Sequence, residues 1–158
     1  MRGKSLVVVL ALAIVMLAAQ TLAVSEVYAT SPTTVNGILT VNMDYVHVNR
    51  QSGKSDNVFG TFVGTQYWEG AIEGLCVHEG FMKMGVNGWM HGTYTFESVT
   101  VTVGSVVATG GLTILGWQHG LWRIIEGTGE LANLHGQGSG EYIGGVQYSY
   151  TGQLHFDP

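Results

Sequence analysis

Apolar and polar residues alternate, with glycines between them, along most of the chain from Val35 to the C-terminus. A two-residue period is typical of β-strands. No stretch here combines apolar residues at helical spacing with capping residues and freedom from glycine. The pattern therefore predicts eight strands, the fifth divisible at Gly110-Gly111: 35–48, 58–68, 71–82, 89–103, 106–115, 121–126, 134–142 and 146–156.

Short connections between all of these segments predict antiparallel pairing of neighbours in a meander. A meander of this size loses its exposed edges by closing on itself. The 24 glycines of the chain support closure, because tight coiling at barrel corners favours residues without a Cβ. We therefore predict an all-β fold, a closed antiparallel barrel of about eight strands, with a β-sandwich as the alternative. The interior of such a barrel is filled by side chains or holds one small ligand.

The first 29 residues have the pattern of a secretion signal. Arg2 and Lys4 precede an unbroken apolar run over 6–19, and small residues follow at Ala23 and Ala29, the two candidate cleavage positions. The alternative is an uncleaved membrane anchor, since 6–24 is nearly long enough to cross a bilayer. Either way the following domain is expected outside the cytoplasm, secreted or anchored. Residues 30–37 are predicted to be a lead-in and 38–158 the barrel domain.

Charge narrows the range of partners once the leader is set aside. A chain starting after Ala29 keeps four basic and ten acidic residues, a net charge of −6, and the basic residues form no stripe. Phosphate backbones and anionic lipid surfaces both need clustered basic residues, so neither nucleic-acid binding nor peripheral membrane binding is expected. Membrane contact is expected only if the leader is retained. A homo-oligomer is left open.

Cys76 is the only cysteine, so no intramolecular disulfide can form. We interpret it as a small buried hydrophobe within a strand, with an intermolecular bridge or a reactive thiol as the alternatives.

A glycine-rich turn near the C-terminus gives the sequence a resemblance to a known family. The segment GTGELANLHGQG at 127–138 and the closing segment YSYTGQLHFDP at 148–158 resemble the C-terminal signature of the uncharacterised DUF3224 family. That family is distantly similar to allene oxide cyclase and dirigent proteins. The resemblance implies an allene oxide cyclase-like barrel with a cavity. No catalytic residue is carried over, because no position outside the glycine motif matches.

The same motif has a physical interpretation of its own. Gly127 and Gly129 free the backbone to turn tightly after the sixth strand. Leu131 and Leu134, three residues apart, are then expected to dip together into one end of the barrel as a plug.

Candidate catalytic residues are few. The six histidines show no HxH or HExxH spacing and no second cysteine exists, so we predict neither a metal site nor a cofactor. Glu73 and Glu97 lie within apolar strands. If their faces point inward, burial would favour proton transfer in an apolar cavity, whereas outward faces would leave both carboxylates solvated.

Candidate ligand-binding residues cluster around one predicted loop. Trp117 and His119 lie in the segment 116–120, which is expected at the mouth of the barrel. Trp89 and His91, which share a strand face with Glu97, are the further candidates.

Three functions remain open at this point. The first is an exported module that binds a small apolar or amphipathic molecule in, or at the mouth of, the barrel. The second is an enzyme of cyclase or isomerase type that acts on an apolar substrate there. The third is a structural envelope or interaction domain with a filled core. Whether the barrel is hollow separates the first two from the third.

Overall fold

Eight antiparallel strands form one sheet that closes on itself as a barrel. The structure, a computed structural model, describes residues 29–51, 58–84, 89–117 and 120–158. One turn of 3-10 helix, Gly129–Leu131, lies between the sixth and seventh strands. The strands are β1 (Thr33–Gln51), β2 (Val58–Gly70), β3 (Ile72–Met84), β4 (Trp89–Val103), β5 (Val106–Trp117), β6 (Leu121–Gly127), β7 (Leu134–Gly144) and β8 (Gln147–Phe156).

The first and last strands close the ring. β1 pairs with β8 from Thr33↔Leu154 to Thr40↔Gln147, and its remaining length pairs with β2. The predicted antiparallel eight-stranded barrel is confirmed. β1 begins at Thr33, inside the segment predicted to be a lead-in, because pairing with β8 gives residues 33–37 backbone partners.

Two details of the strands differ from the expected pattern. β5 is continuous across its glycine pair, because Gly111 exchanges hydrogen bonds with Thr128: its N–H donates to Thr128 Oγ1 (3.2 Å) and its carbonyl accepts from Thr128 N (2.9 Å). β4 carries a bulge between Phe96 and Val99, so both of these side chains are buried while the two residues between them are exposed.

The two ends of the barrel are built differently. At the closed end lie the turns after β2 and β4, the 3-10 turn after β6 and the C-terminus. Leu131 and Leu134 are 0% and 2% exposed in the core there, so the predicted plug is confirmed. At the open end lie the C-terminal ends of β1, β3, β5 and β7.

Tyr150 of β8 contacts residues of three other strands, β1, β2 and β3. Its hydroxyl accepts a hydrogen bond from the Ile72 N–H (2.8 Å) and lies 3.3 Å from the Ile72 carbonyl oxygen, to which it donates. Gly37 leaves the space that the phenol ring needs, because a Cβ there would lie 2.5 Å from the ring. Trp68 packs on the same ring, with ring centroids 4.8 Å apart.

The predicted leader at residues 1–29 lies outside the described residues, apart from Ala29. Within the described ranges, no helix is long and apolar enough to cross a membrane.

Candidate functional site

A cavity of about 470 Å³ occupies the interior of the barrel toward its open end. Aliphatic, methionine and aromatic side chains dominate its wall, and seven of the eight barrel strands contribute described side chains to it, β7 adding only a glycine. The cavity is lined by Leu39, Val41, Met43, Val46, Gln66, Trp68, Met82, Lys83, Met90, Tyr94, Trp117, Gly120, Leu121, Trp122, Gly140 and Tyr148.

Solvent reaches this cavity from the open end. Met43, Val46 and Leu121 belong to its wall and are 39%, 39% and 42% exposed. Met43 and Val46 pair with the buried residues Gly64 and Phe62 of β2, so they lie on the inward-facing side of β1. Apolar side chains thus face into the barrel without being covered by it.

An aromatic group, Trp68, Trp122 and Tyr150, closes the cavity toward the packed end. Trp68 and Trp122 line the cavity, and their rings meet edge to face at 6.4 Å and 87°. Tyr150 contacts both rings, at 4.8 Å from Trp68 and 6.3 Å from Trp122. All three residues are 3% exposed or less. This trio forms the floor of the cavity.

A few polar groups interrupt the apolar wall near this floor. Gln66 is 3% exposed, and its Oε1 accepts a hydrogen bond from Trp68 Nε1 at 3.2 Å. Burial raises the pKa of Tyr94 to about 12, with a smaller opposing effect from a hydrogen bond to the Gln66 side chain. Tyr94 is therefore a neutral hydroxyl at any physiological pH.

Cys76 lies buried on β3 behind the cavity wall, which confirms its predicted role as a small core residue. Burial raises the pKa of its thiol to about 12. A thiol held protonated in this way is a poor nucleophile, so the reactive-thiol alternative has no support from the structure.

His78 is a fully buried imidazole beside the cavity. Its ring packs on Phe62 (5.1 Å) and Tyr94 (6.1 Å), and neither ring nitrogen has a hydrogen-bond partner among the described residues. Burial lowers its pKa to about 4, and the charge of Asp44 opposes this shift more weakly. At neutral pH the ring is uncharged, which is the form that a dry environment favours.

The two candidate catalytic carboxylates lie on the outer surface. On β3, Cys76 and His78 point inward, so the alternation of the strand turns Glu73 outward. Glu97 is exposed within the bulge of β4. Neither side chain lines the cavity.

The ligand-binding candidates are only partly brought together. Trp117 lines the cavity at the end of β5, and the guanidinium of Arg123 lies over its ring at 5.7 Å. His91 is exposed and borders a shallow depression on the outer surface that Trp117 also borders. Trp89 begins β4 with its side chain outside the described part of the chain, and His119 lies outside the described residues altogether.

Of the lining residues only Trp117 was among the predicted site residues, so the polar side chains Gln66, Tyr94, Trp122 and Tyr148 were missed. A sequence clue did exist, because the side of β3 with the smaller residues suits a barrel interior. The strand registers then identify the inward-facing residues of the neighbouring strands, since Cys76 pairs with Gln66 and His78 pairs with Tyr94. These pairings depend on how the barrel closes, so they cannot be deduced from the sequence of one strand.

Among the residues that the structure describes, no three His, Cys, Asp or Glu side chains are arranged to hold a metal ion. His135 and His155 each approach one carboxylate oxygen of Asp157, at 3.3 and 3.2 Å, on the exterior of the closed end. The side chains that line the cavity are apolar or neutral hydrogen-bonding groups, apart from Lys83.

Comparison with known proteins gives one informative result. No family model and no curated protein matches the sequence. The fold is similar to the crystal structure of a protein of unknown function from the DUF3224 family of Shewanella oneidensis MR-1, with a TM-score of 0.56 and 20% sequence identity. The likeness covers 81% of this chain and 99% of that one. The predicted resemblance to DUF3224 is thus supported, and at this identity it shows the fold.

Proposed function

We propose that this protein binds a small, mainly apolar molecule in the open half of its barrel. The observation that carries the proposal is the cavity of about 470 Å³, which is lined by apolar and aromatic side chains and reachable from solvent. Ligand pockets typically measure about 300–1,000 Å³ and combine such a wall with a few polar groups. Gln66, Tyr94 and Tyr148 are polar groups of this kind here.

The exposed apolar side chains at the open end favour binding of an apolar ligand. Val48 pairs with buried Gly60 on the inward-facing side of β1 and is 51% exposed, like its partly exposed neighbours Met43 and Val46. Covering apolar surface of this kind stabilises a complex by roughly 25 cal/mol per Å² before the costs of association are subtracted. An apolar ligand supplies that cover.

A titration with a fluorescent apolar probe, N-phenyl-1-naphthylamine, tests the proposal. We expect saturable binding near one probe per chain. Val41→Phe fills part of the cavity and should weaken binding by about tenfold, the equivalent of roughly 1.4 kcal/mol. Thr40→Phe adds the same ring to the outer side of the same strand and is the matched control, expected to stay within about twofold. Unsaturable binding, or equal losses in the two variants, would contradict the proposal.

The cyclase or isomerase alternative depended on Glu73 or Glu97 acting inside the cavity. Because both lie on the outer surface, no observation favours that function over binding.

We propose in addition that the domain works outside the cytoplasm, on the support of the leader pattern at 1–29. N-terminal sequencing of protein from the culture medium and the membrane fraction tests this. A start at residue 24 or 30 in the medium supports secretion, an intact leader in the membrane fraction supports an anchor, and cytoplasmic protein contradicts both. Homo-oligomerisation stays a prediction, for which light scattering is the test.

A further inference from the structure

The floor of the cavity carries more hydrogen-bond donors than acceptors. The polar side chains that meet there are Gln66, Trp68, Tyr94 and Trp122. A tryptophan N–H only donates, a tyrosine hydroxyl does both, and a glutamine amide offers one oxygen and one NH₂ group. Which of these groups satisfy one another decides what the cavity floor presents to a ligand.

Trp68 determines how Gln66 is oriented. Its Nε1 lies 3.2 Å from Gln66 Oε1, and because the Nε1–H can only donate, the amide oxygen and not the NH₂ group must face it. The NH₂ group of Gln66 is then the part of the amide left to face Tyr94. Tyr94, whose raised pKa keeps it protonated, has a hydroxyl hydrogen to donate.

Trp122 provides the second donor. Its Nε1 is buried and has no hydrogen-bond partner among the described residues. The ring has little freedom to turn, because its six-membered edge lies against two glycines: a Cβ on Gly138 would be 2.6 Å from Cζ2, and a Cβ on Gly152 would be 2.5 Å from it. Edge-to-face contacts with Trp68 and Tyr150 hold the other sides.

An unpaired buried donor is costly, and native structures rarely keep one without a reason. From the donor surplus and the cavity above it, we infer that the ligand of this barrel is an apolar molecule carrying a neutral acceptor oxygen, such as a ketone, aldehyde or ester carbonyl, which receives the N–H of Trp122 at the cavity floor. This inference rests on the proposed function and specifies the ligand class for that same cavity.

The acceptor is neutral because the floor offers no cation. Lys83 is the only cationic side chain among the described residues of the lining, and it lies next to the last residue of β3, at the open end. A carboxylate placed at the floor would be desolvated without a partner charge, which costs far more than burying a carbonyl. An anionic group is therefore acceptable at the rim and not at the floor.

The test compares two probes of nearly equal size, 2-acetylnaphthalene and 2-isopropylnaphthalene. The second has a methyl group where the first has its carbonyl oxygen. Binding of each is measured by calorimetry to the unaltered protein and to Trp122→Phe, which keeps an aromatic ring and removes the N–H. We expect the variant to lose about five- to tenfold in affinity for the ketone, the usual worth of one hydrogen bond, and less than about twofold for the hydrocarbon. Trp117→Phe, at the mouth, is the matched control and should treat both probes alike.

The outcomes separate the two proposals. Equal effects of Trp122→Phe on both probes would overturn the inference while leaving the binding function standing. Failure of the unaltered protein to bind either probe would overturn the function and the inference with it. If Trp122→Phe does not fold, Tyr94→Phe removes the other donor with a smaller change of shape and is expected to weaken binding of the ketone selectively. Equal effects on both probes would count against the inference there too.

Discussion

The closed and open halves of the barrel are made from the same strands and the same alternation, yet one is filled and the other is hollow. At the closed end, the turn after β6 inserts Leu131 and Leu134 among buried side chains that include Leu154 and Phe156. At the open end the inward-facing residues of β1 are 39–51% exposed. The closed end is therefore a core because a connecting segment supplies a plug.

This difference shows that barrel geometry alone does not decide whether an end of the barrel is filled by side chains or left open as a binding cavity. Eight strands enclose a space that is just wide enough for either. The aromatic trio Trp68, Trp122 and Tyr150 lies at the boundary: it belongs to the same buried cluster as Leu131 and Leu134 and forms the floor of the cavity. Four predictions test this division, beginning with the largest expected effect.

Truncating the plug should cost far more stability than truncating the rim. Leu131→Ala removes a fully buried side chain and should lower the free energy of unfolding by about 2–5 kcal/mol. Leu121→Ala, at the rim and 42% exposed, should cost under about 1 kcal/mol. Urea denaturation measures both. Similar losses in the two variants would break the distinction between the two ends.

Tyr150→Phe removes the hydrogen bonds to the backbone of Ile72 and leaves that buried N–H without its partner. We expect a loss of about 1–3 kcal/mol in the free energy of unfolding, because an unsatisfied buried donor retains its desolvation cost. Tyr148→Phe, in the half-buried cavity wall, is the control and should cost less. A larger loss at Tyr148 would indicate that the open half carries the stability.

His78 should make the stability depend on acid. Its folded-state pKa of about 4 lies below the ordinary value of 6.5, so between these limits the unfolded chain takes up a proton that the folded chain does not. The free energy of unfolding should therefore fall as the pH drops from about 6.5 to about 4, by up to about 3 kcal/mol from this group, and level off below.

Urea denaturation at a series of pH values, compared with His78→Phe, isolates this contribution, since the variant lacks the titrating ring and should depend less on pH across that window. Identical pH dependence in the two proteins would mean that the wall beside the cavity is wet and not dry.

The smallest effects are expected on the outer surface. Glu73→Gln and Glu97→Gln change exposed carboxylates and should leave stability within about 0.5 kcal/mol. Affinity for N-phenyl-1-naphthylamine should stay within about twofold, because neither residue lines the cavity. A large loss of probe affinity in either variant would place a carboxylate in contact with the bound molecule.

Much of the fold follows from local pattern, and much less of the site does. β4 spans Trp89–Val103 as the alternation and glycine positions predict, and the other strands end within a few residues of their predicted limits. Of the predicted site residues, Trp117 does line the cavity; the sequence predicted it in a loop at the mouth, and the structure has it as the last residue of β5. Gln66 and Trp122 went unrecognised because a strand presents both of its faces equally in sequence.

What the sequence by itself determined is the class of structure: alternation and glycine spacing specify strands and their turns, and the segment 127–138 specifies a plug, because these depend on residues near one another in the chain. What only the tertiary structure decided is which side of each strand faces inward. A strand's two faces become inside and outside when β1 meets β8, and that closure brings Gln66, Tyr94 and Trp122 together around one cavity while turning Glu73 and Glu97 to solvent.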